Sequence, residues 1–150
     1  MRTRPMSMFP HTVTVYNTGE EDPTTFEKKV HITVLRGVFF DARKAANVRE
    51  SGLANADAVN LMIPFDAEAV NGVTGEKQTY LPPVSYEASE EKSQHWTIRP
   101  GDNCFFVKGE AVEPGMSFQE INATYDSVHK VTSVDEKDFG ALRHWEVGGA

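Results

Sequence analysis

The chain has 150 residues, the size of one domain that can bury roughly two-thirds of its unfolded surface in a single core. Its formal charge of -7 and pI near 5.2 exclude a surface that grips DNA or RNA through clustered Lys and Arg, and 39% apolar with 25% charged residues excludes wholesale disorder. A single cysteine excludes an internal disulfide, as expected in a reducing cytoplasm, and neither the charged opening MRTRPMSMFP nor any later stretch has the apolar run that secretion or a membrane span requires.

In chain order, TVTVY sets Val13 and Val15 on one face, and VHITVL does the same with Val30, Ile32 and Val34. Such alternation predicts half-buried strands. DARKAANVRESGLANADA, rich in Ala and charge, predicts a short helix after Asp41 that breaks at Gly52, inside an excursion over 43–57. VNLMI returns as a strand with Val59, Leu61 and Ile63 on one face. A second long loop over 66–92 holds NGVTG and LPP, and SYEASEEK could form one or two helical turns. HWTI and CFFV flank the Pro-Gly-Asp turn at 100–102 and predict a hairpin. VHKVTSV and ALRHWEV form a last antiparallel pair around DEKDFG, with Gly140 in the turn. The expected fold is all-β: one domain over 1–150, a small β-barrel of about seven short antiparallel strands with two long inserted loops and little helix.

Chemistry-bearing residues do not assemble into a recognisable site. His95, Asp102, Cys104 and Glu110 could be drawn as a Cys/His pair with a carboxylate orienter. Cys104 stands between Asn103 and Phe105, without the cationic setting that activates a thiol, and reads as a core residue. His11, His31, His95, His129 and His144 show no metal-ligand spacing, so no metal or cofactor is expected. Glu20/Glu21 and Glu90/Glu91 lie in polar loops as solvated charge, and NGVTGEK lacks the spacing of a phosphate loop. Arg43, Lys44 and Arg49 form the one basic cluster of note, either a solvated loop face or a contact with a partner or DNA. A small-ligand β-barrel, or an enzyme using Cys104, is the reading from another functional class; it needs a concave pocket with convergent polar groups.

The serial order MFPHTVTVYN, GVFFDARK, VNLMIPF, IRPGDNCFFVKGE and HKVTSVDEKDFGALRHWEV resembles the head-closure, or stopper, proteins of tailed bacteriophages. The resemblance runs from Met8 onward and leaves residues 1–7 as an extension. It implies a non-enzymatic β-barrel subunit at the head-tail interface of a virion, assembled in the host cytoplasm. Copies would form a ring, of about six or twelve subunits, between a portal-adaptor ring and the tail terminator or tail tube. The ring would retain packaged duplex DNA through non-specific contacts and dock the tail. The excursion matches the place of a channel loop in such proteins, which makes Arg43, Lys44, Asn47, Arg49 and Glu50 the candidate gate. The 66–92 segment is longer than the corresponding turn of the simplest stoppers. Tyr80, Leu81, Tyr86 and Phe118 are the candidate interface anchors, since aromatic and apolar loop residues commonly carry contacts between subunits. A tail-completion protein or another neck component is the rival within this class; an adaptor would be mainly helical, and sustained helical periodicity is missing.

Overall fold

The computed structural model describes residues 9–21, 23–26, 28–42, 59–101, 103–111, 118–125 and 128–150. Among them are strands β1 (His11–Glu21), β2 (Lys28–Ala42), β3 (Val59–Pro64), β4 (Glu68–Asn71), β5 (Thr79–Tyr80), β6 (His95–Trp96), β7 (Cys104–Lys108), β8 (Val128–Lys137) and β9 (His144–Gly149). Helix is confined to α1 (Pro83–Ala88), a 3-10 turn (Lys92–Gln94) and α2 (Phe118–Thr124). The main sheet runs β1-β7-β8-β9-β3-β2, and pairing of β1 with β2 closes it into a six-stranded antiparallel barrel. β4 joins the free part of the β2 edge as a seventh strand, and β5 and β6 form a separate parallel pair. The fold is the small all-β barrel expected from the alternation. Closure gives each of the six barrel strands a partner on both sides, so none is a terminal edge strand.

β2 is long because it serves three partners: β1 along one edge, and β4 then β3 along the other. Its pairing with β1 steps from Thr12↔Arg36 to His11↔Val38, so Gly37 is the extra residue of a bulge. Gly37 sits at φ 83°, where a residue without a β-carbon is favoured, and the bulge increases the local bend.

The barrel interior holds Val13, Val15, Leu35, Leu61, Ile63, Phe106, Trp145 and Val147, all buried. Val30 and Ile32 belong to a second cluster on the outer face, with Tyr16, Phe105 and Val107 under Ile121 of α2 and Ala111. Tyr16 stacks on Phe105 with ring centroids 4.8 Å apart, and its hydroxyl donates to the Ala111 carbonyl. Thr14 Oγ1 donates to the Gly109 carbonyl at 2.7 Å and accepts from Ala111 N at 2.9 Å. These bonds tie the chain after β7 back onto β1. Strands expected to be half-buried are thus buried on both faces here, because the β7–β8 connection folds over the sheet.

Two expectations need correction. HWTI and CFFV do not form a hairpin: β6 pairs in parallel with β5, while both edges of β7 are taken by β1 and β8. The chain between them instead crosses the barrel end. Asn17 Nδ2 donates to Thr97 O at 2.9 Å, Thr18 N to Asn103 O at 2.8 Å, and Gly101 N to Val131 O at 3.0 Å. Nor is 66–92 one long loop, since it contains β4, β5 and α1 and ends where the 3-10 turn begins. Ala69 and Val70 are too few to reveal β4 by alternation; its register comes from pairing Thr33↔Asn71 to Arg36↔Glu68 on β2. The helical turns expected late in this segment appear as α1, entered through Pro82 and Pro83, the latter at a first-turn position that tolerates the missing N–H. The last expected pair is present as β8 and β9, and Gly140 takes φ 77° in their turn.

Candidate assembly surfaces

One end of the barrel is plugged by aromatic rings. Trp145 of β9 packs against Tyr80 (4.4 Å), Phe65 (4.4 Å) and Trp96 (5.3 Å), with Tyr80 and Trp96 themselves 5.1 Å apart. β5 and β6 exist to carry two of these rings, so the parallel pair is a lid on the core. Outside it lies a shallow apolar groove between Tyr80, Pro82, Pro100, Val134 and Trp145, bordered by Arg99 and Glu136. Arg99 pairs with Glu87 of α1 at 2.5 Å, which holds the helix against the crossing segment. Burial, then the nearby Glu136 carboxylate, raises the Tyr80 phenol above its ordinary value and keeps it neutral.

The interface candidates separate on this geometry. Tyr80 is half-buried at the groove, and Leu81 is half-buried after it, with its N donating to the Trp96 carbonyl at 2.9 Å. Tyr86 is corrected from a surface anchor to a core residue: it is 2% exposed, with its ring edge-on to His31 at 6.3 Å. α1 is short and its single buried residue is Tyr86, so this ring is what docks the helix onto the barrel. Phe118 begins α2, and its side chain lies outside the described residues. The candidate gate residues Arg43, Lys44, Asn47, Arg49 and Glu50, and the helix expected after Asp41, also lie outside them.

The proposed Cys/His constellation does not assemble. Cys104 faces the interior, fully buried, and burial pushes its thiol up to about 11, the reverse of an activated nucleophile. His95 Nδ1 lies 3.3 Å from the Thr79 carbonyl, and Glu110 pairs with Arg36 at 3.3 Å on the exterior. Asp102 is outside the described residues. Among the described residues no three His, Cys, Asp or Glu side chains converge on a point that would suit a metal.

Among the described residues the exposed large apolar side chains are Val84 of α1, Phe39 of β2 and three in turns, and the three in turns escaped the reading of alternation. Phe26 in the β1–β2 turn is 74% exposed, Val73 after β4 is 63% exposed, and Phe139 in the β8–β9 turn is 71% exposed. Strand directions place all three turns at the end of the barrel where β2 begins, opposite the end where β2 leaves toward residues 43–58. Phe26 also holds φ 62°, a conformation that an aromatic residue rarely adopts. Neither burial nor local backbone preference favours Phe at that tip. A signal was present in DPTTFEKK and EKDFGAL, each with one aromatic residue in an otherwise polar turn.

Residues 8–150 match the model of a family described as Family of unknown function (DUF6751). The chain belongs to that family. No curated protein and no solved structure matches the chain. Membership in DUF6751 covers the whole barrel and leaves the first seven residues outside the matched region.

Proposed function

We propose that this DUF6751 member is a non-enzymatic head-closure subunit of a phage neck, which forms a ring and holds packaged DNA behind it. The observation that carries the reading is the two-ended barrel: a long excursion leaves one end between β2 and β3, and three apolar turn residues stand exposed at the other. Apolar tips that face water in an isolated subunit are suited to burial against a neighbouring ring. The net charge of -7 supports it as well, because an acidic ring repels phosphate and lets duplex DNA pass. Non-specific contact with the backbone would fall to Arg43, Lys44 and Arg49 in the excursion. In a ring each subunit meets its neighbours through two unlike faces, and the Tyr80 groove is the candidate for one of them. The mainly strand-built fold disfavours an adaptor role, for which a helical subunit is expected.

Particles assembled without this protein are expected to package DNA, lose it, and remain tailless by electron microscopy. Full heads that acquire tails in its absence would overturn the reading.

A further inference from the structure

The groove outside the aromatic lid encloses about 340 Å³, and its apolar lining is mostly rings: Tyr80, Trp145, Pro82, Pro83 and Pro100. Proline has no rotamer freedom to lose, and Trp145 is already held by the packing of the lid, so a ligand gains this surface at little entropic cost. The polar groups that the groove offers are mainly donors. Thr97 Oγ1 and Trp145 Nε1 are buried donors toward the Tyr80 oxygen and have no other partner, which leaves the Tyr80 O–H for a ligand. Arg99 spends only part of its five-donor fork on Glu87. Glu136 is the one carboxylate in the lining; it is exposed, and among the described residues no ion pair engages it.

We propose that this groove binds a proline-rich segment of another protein, in the polyproline II form, with a basic residue of that segment beside Glu136. Such a segment carries carbonyls and few N–H groups, so it can accept from Tyr80 and Arg99 and brings almost no donor that the groove would leave unpaired. An ordinary extended peptide would set its own N–H groups against a lining with one side-chain carboxylate. Proline rings pack well on aromatic faces, and the segment is stiff before it binds, so little order is imposed on either side. The charge complement follows from Glu136, whose unpaired carboxylate favours Lys or Arg at one end of the segment. A second copy of this chain is the wrong source: its sequence holds Pro-Pro only at Pro82 and Pro83, in the groove's own wall. The exposed ion pair is weak and screened by salt, so it sets the direction of the segment more than its affinity. Any protein with such a segment qualifies, whether or not the subunit works in a phage neck.

The test is a titration of the full chain with three capped peptides, followed by NMR at the Tyr80, Val134 and Glu136 amides and the Trp145 indole N–H. The probes are one Arg followed by six prolines, one Glu followed by six prolines, and one Arg followed by alternating Gly and Ser of the same length. Saturable shifts at the groove are expected with both proline peptides and not with the Gly-Ser peptide. The Arg form should bind about twofold to fivefold more tightly than the Glu form, the worth of an exposed ion pair. In Glu136→Gln that preference should vanish while binding persists. Tyr80→Phe, which keeps the ring and removes the donor, should weaken binding by about threefold to tenfold. Should Tyr80→Phe loosen the lid, Glu136→Gln, a change at an exposed position, still decides the matter. No saturable shift with either proline peptide would overturn the proposal, as would equal binding of the Gly-Ser peptide or a charge preference that survives in Glu136→Gln. Groove signals that shift with the subunit's own concentration and do not respond to peptide would overturn it too, by showing that a second copy fills the site.

Discussion

At Gly149 a β-carbon would lie 2.8 Å from the Phe106 ring and 3.0 Å from the His129 Cβ, both fixed by neighbouring strands. Gly149 pairs with Val59 on one side and Val131 on the other, so β9 cannot move away without breaking two ladders. Gly149→Ala is therefore expected to destabilise the barrel by about 1–3 kcal/mol, as overpacking does. The check is a lower denaturant midpoint at unchanged slope. His129 beside it is half-buried between Phe40 (5.8 Å) and Phe106 (5.7 Å), and burial lowers its pKa from the ordinary value. The folded state thus favours the neutral ring, and as pH falls the unfolded chain takes up the proton first. The contribution is whole above about pH 6.5 and is lost as pH falls below it. In His129→Gln the loss of stability between pH 7 and pH 5 should be shallower than in the wild type by unfolding titration; identical slopes would show that His129 does not contribute.

At the scale of the elements, long strands announced themselves and short ones did not. Val13, Val15, Leu61 and Ile63 alternate over enough residues to mark β1 and β3 as strands with one face in the core. β5 and β6 are two residues each, and nothing in TY or HW distinguishes a parallel lid from the arm of a hairpin. The Pro-Gly-Asp signal was real, since Gly101 holds φ 122°, but a turn residue reports local direction and not which strand is met next. Of the surface candidates, Tyr80 is half-buried at a groove and Tyr86 is buried, because an aromatic residue in a polar stretch looks the same from sequence whether it lies at the surface or anchors its own helix. The β1–β2 turn offers a test that separates fold from assembly. Phe26→Asn places a residue more tolerant of positive φ at the tip and should stabilise the subunit by up to about 1 kcal/mol, read as a small rise in melting temperature. If the exposed ring serves a neighbouring ring of subunits, the same change should reduce assembly of tailed particles; a rise in stability with assembly intact would remove Phe26 from the docking surface.

Over the whole molecule, the placement of Ala42 opposite Val59 shows what the barrel itself requires between them. These two residues are cross-strand partners, so β2 and β3 already stand at hairpin distance where the chain departs, and the barrel needs no more than a tight turn there. Shortening the connection about eightfold removes three doublings of loop length, each about 0.6 kcal/mol of closure entropy, so the subunit with residues 43–58 replaced by Asn-Gly should be more stable by up to roughly 2 kcal/mol. A connection that the fold would be better without is retained for another reason, and in the proposed ring that reason is to reach packaged DNA. The shortened protein should therefore melt at a higher temperature, still join heads to tails, and fail to keep DNA in the head, measured as the fraction of nuclease-sensitive genomes. Loss of folding would place the excursion in the barrel's own architecture. Normal retention of DNA by a stable, shortened subunit would take the gate away from this connection and return attention to the Tyr80 groove at the opposite end.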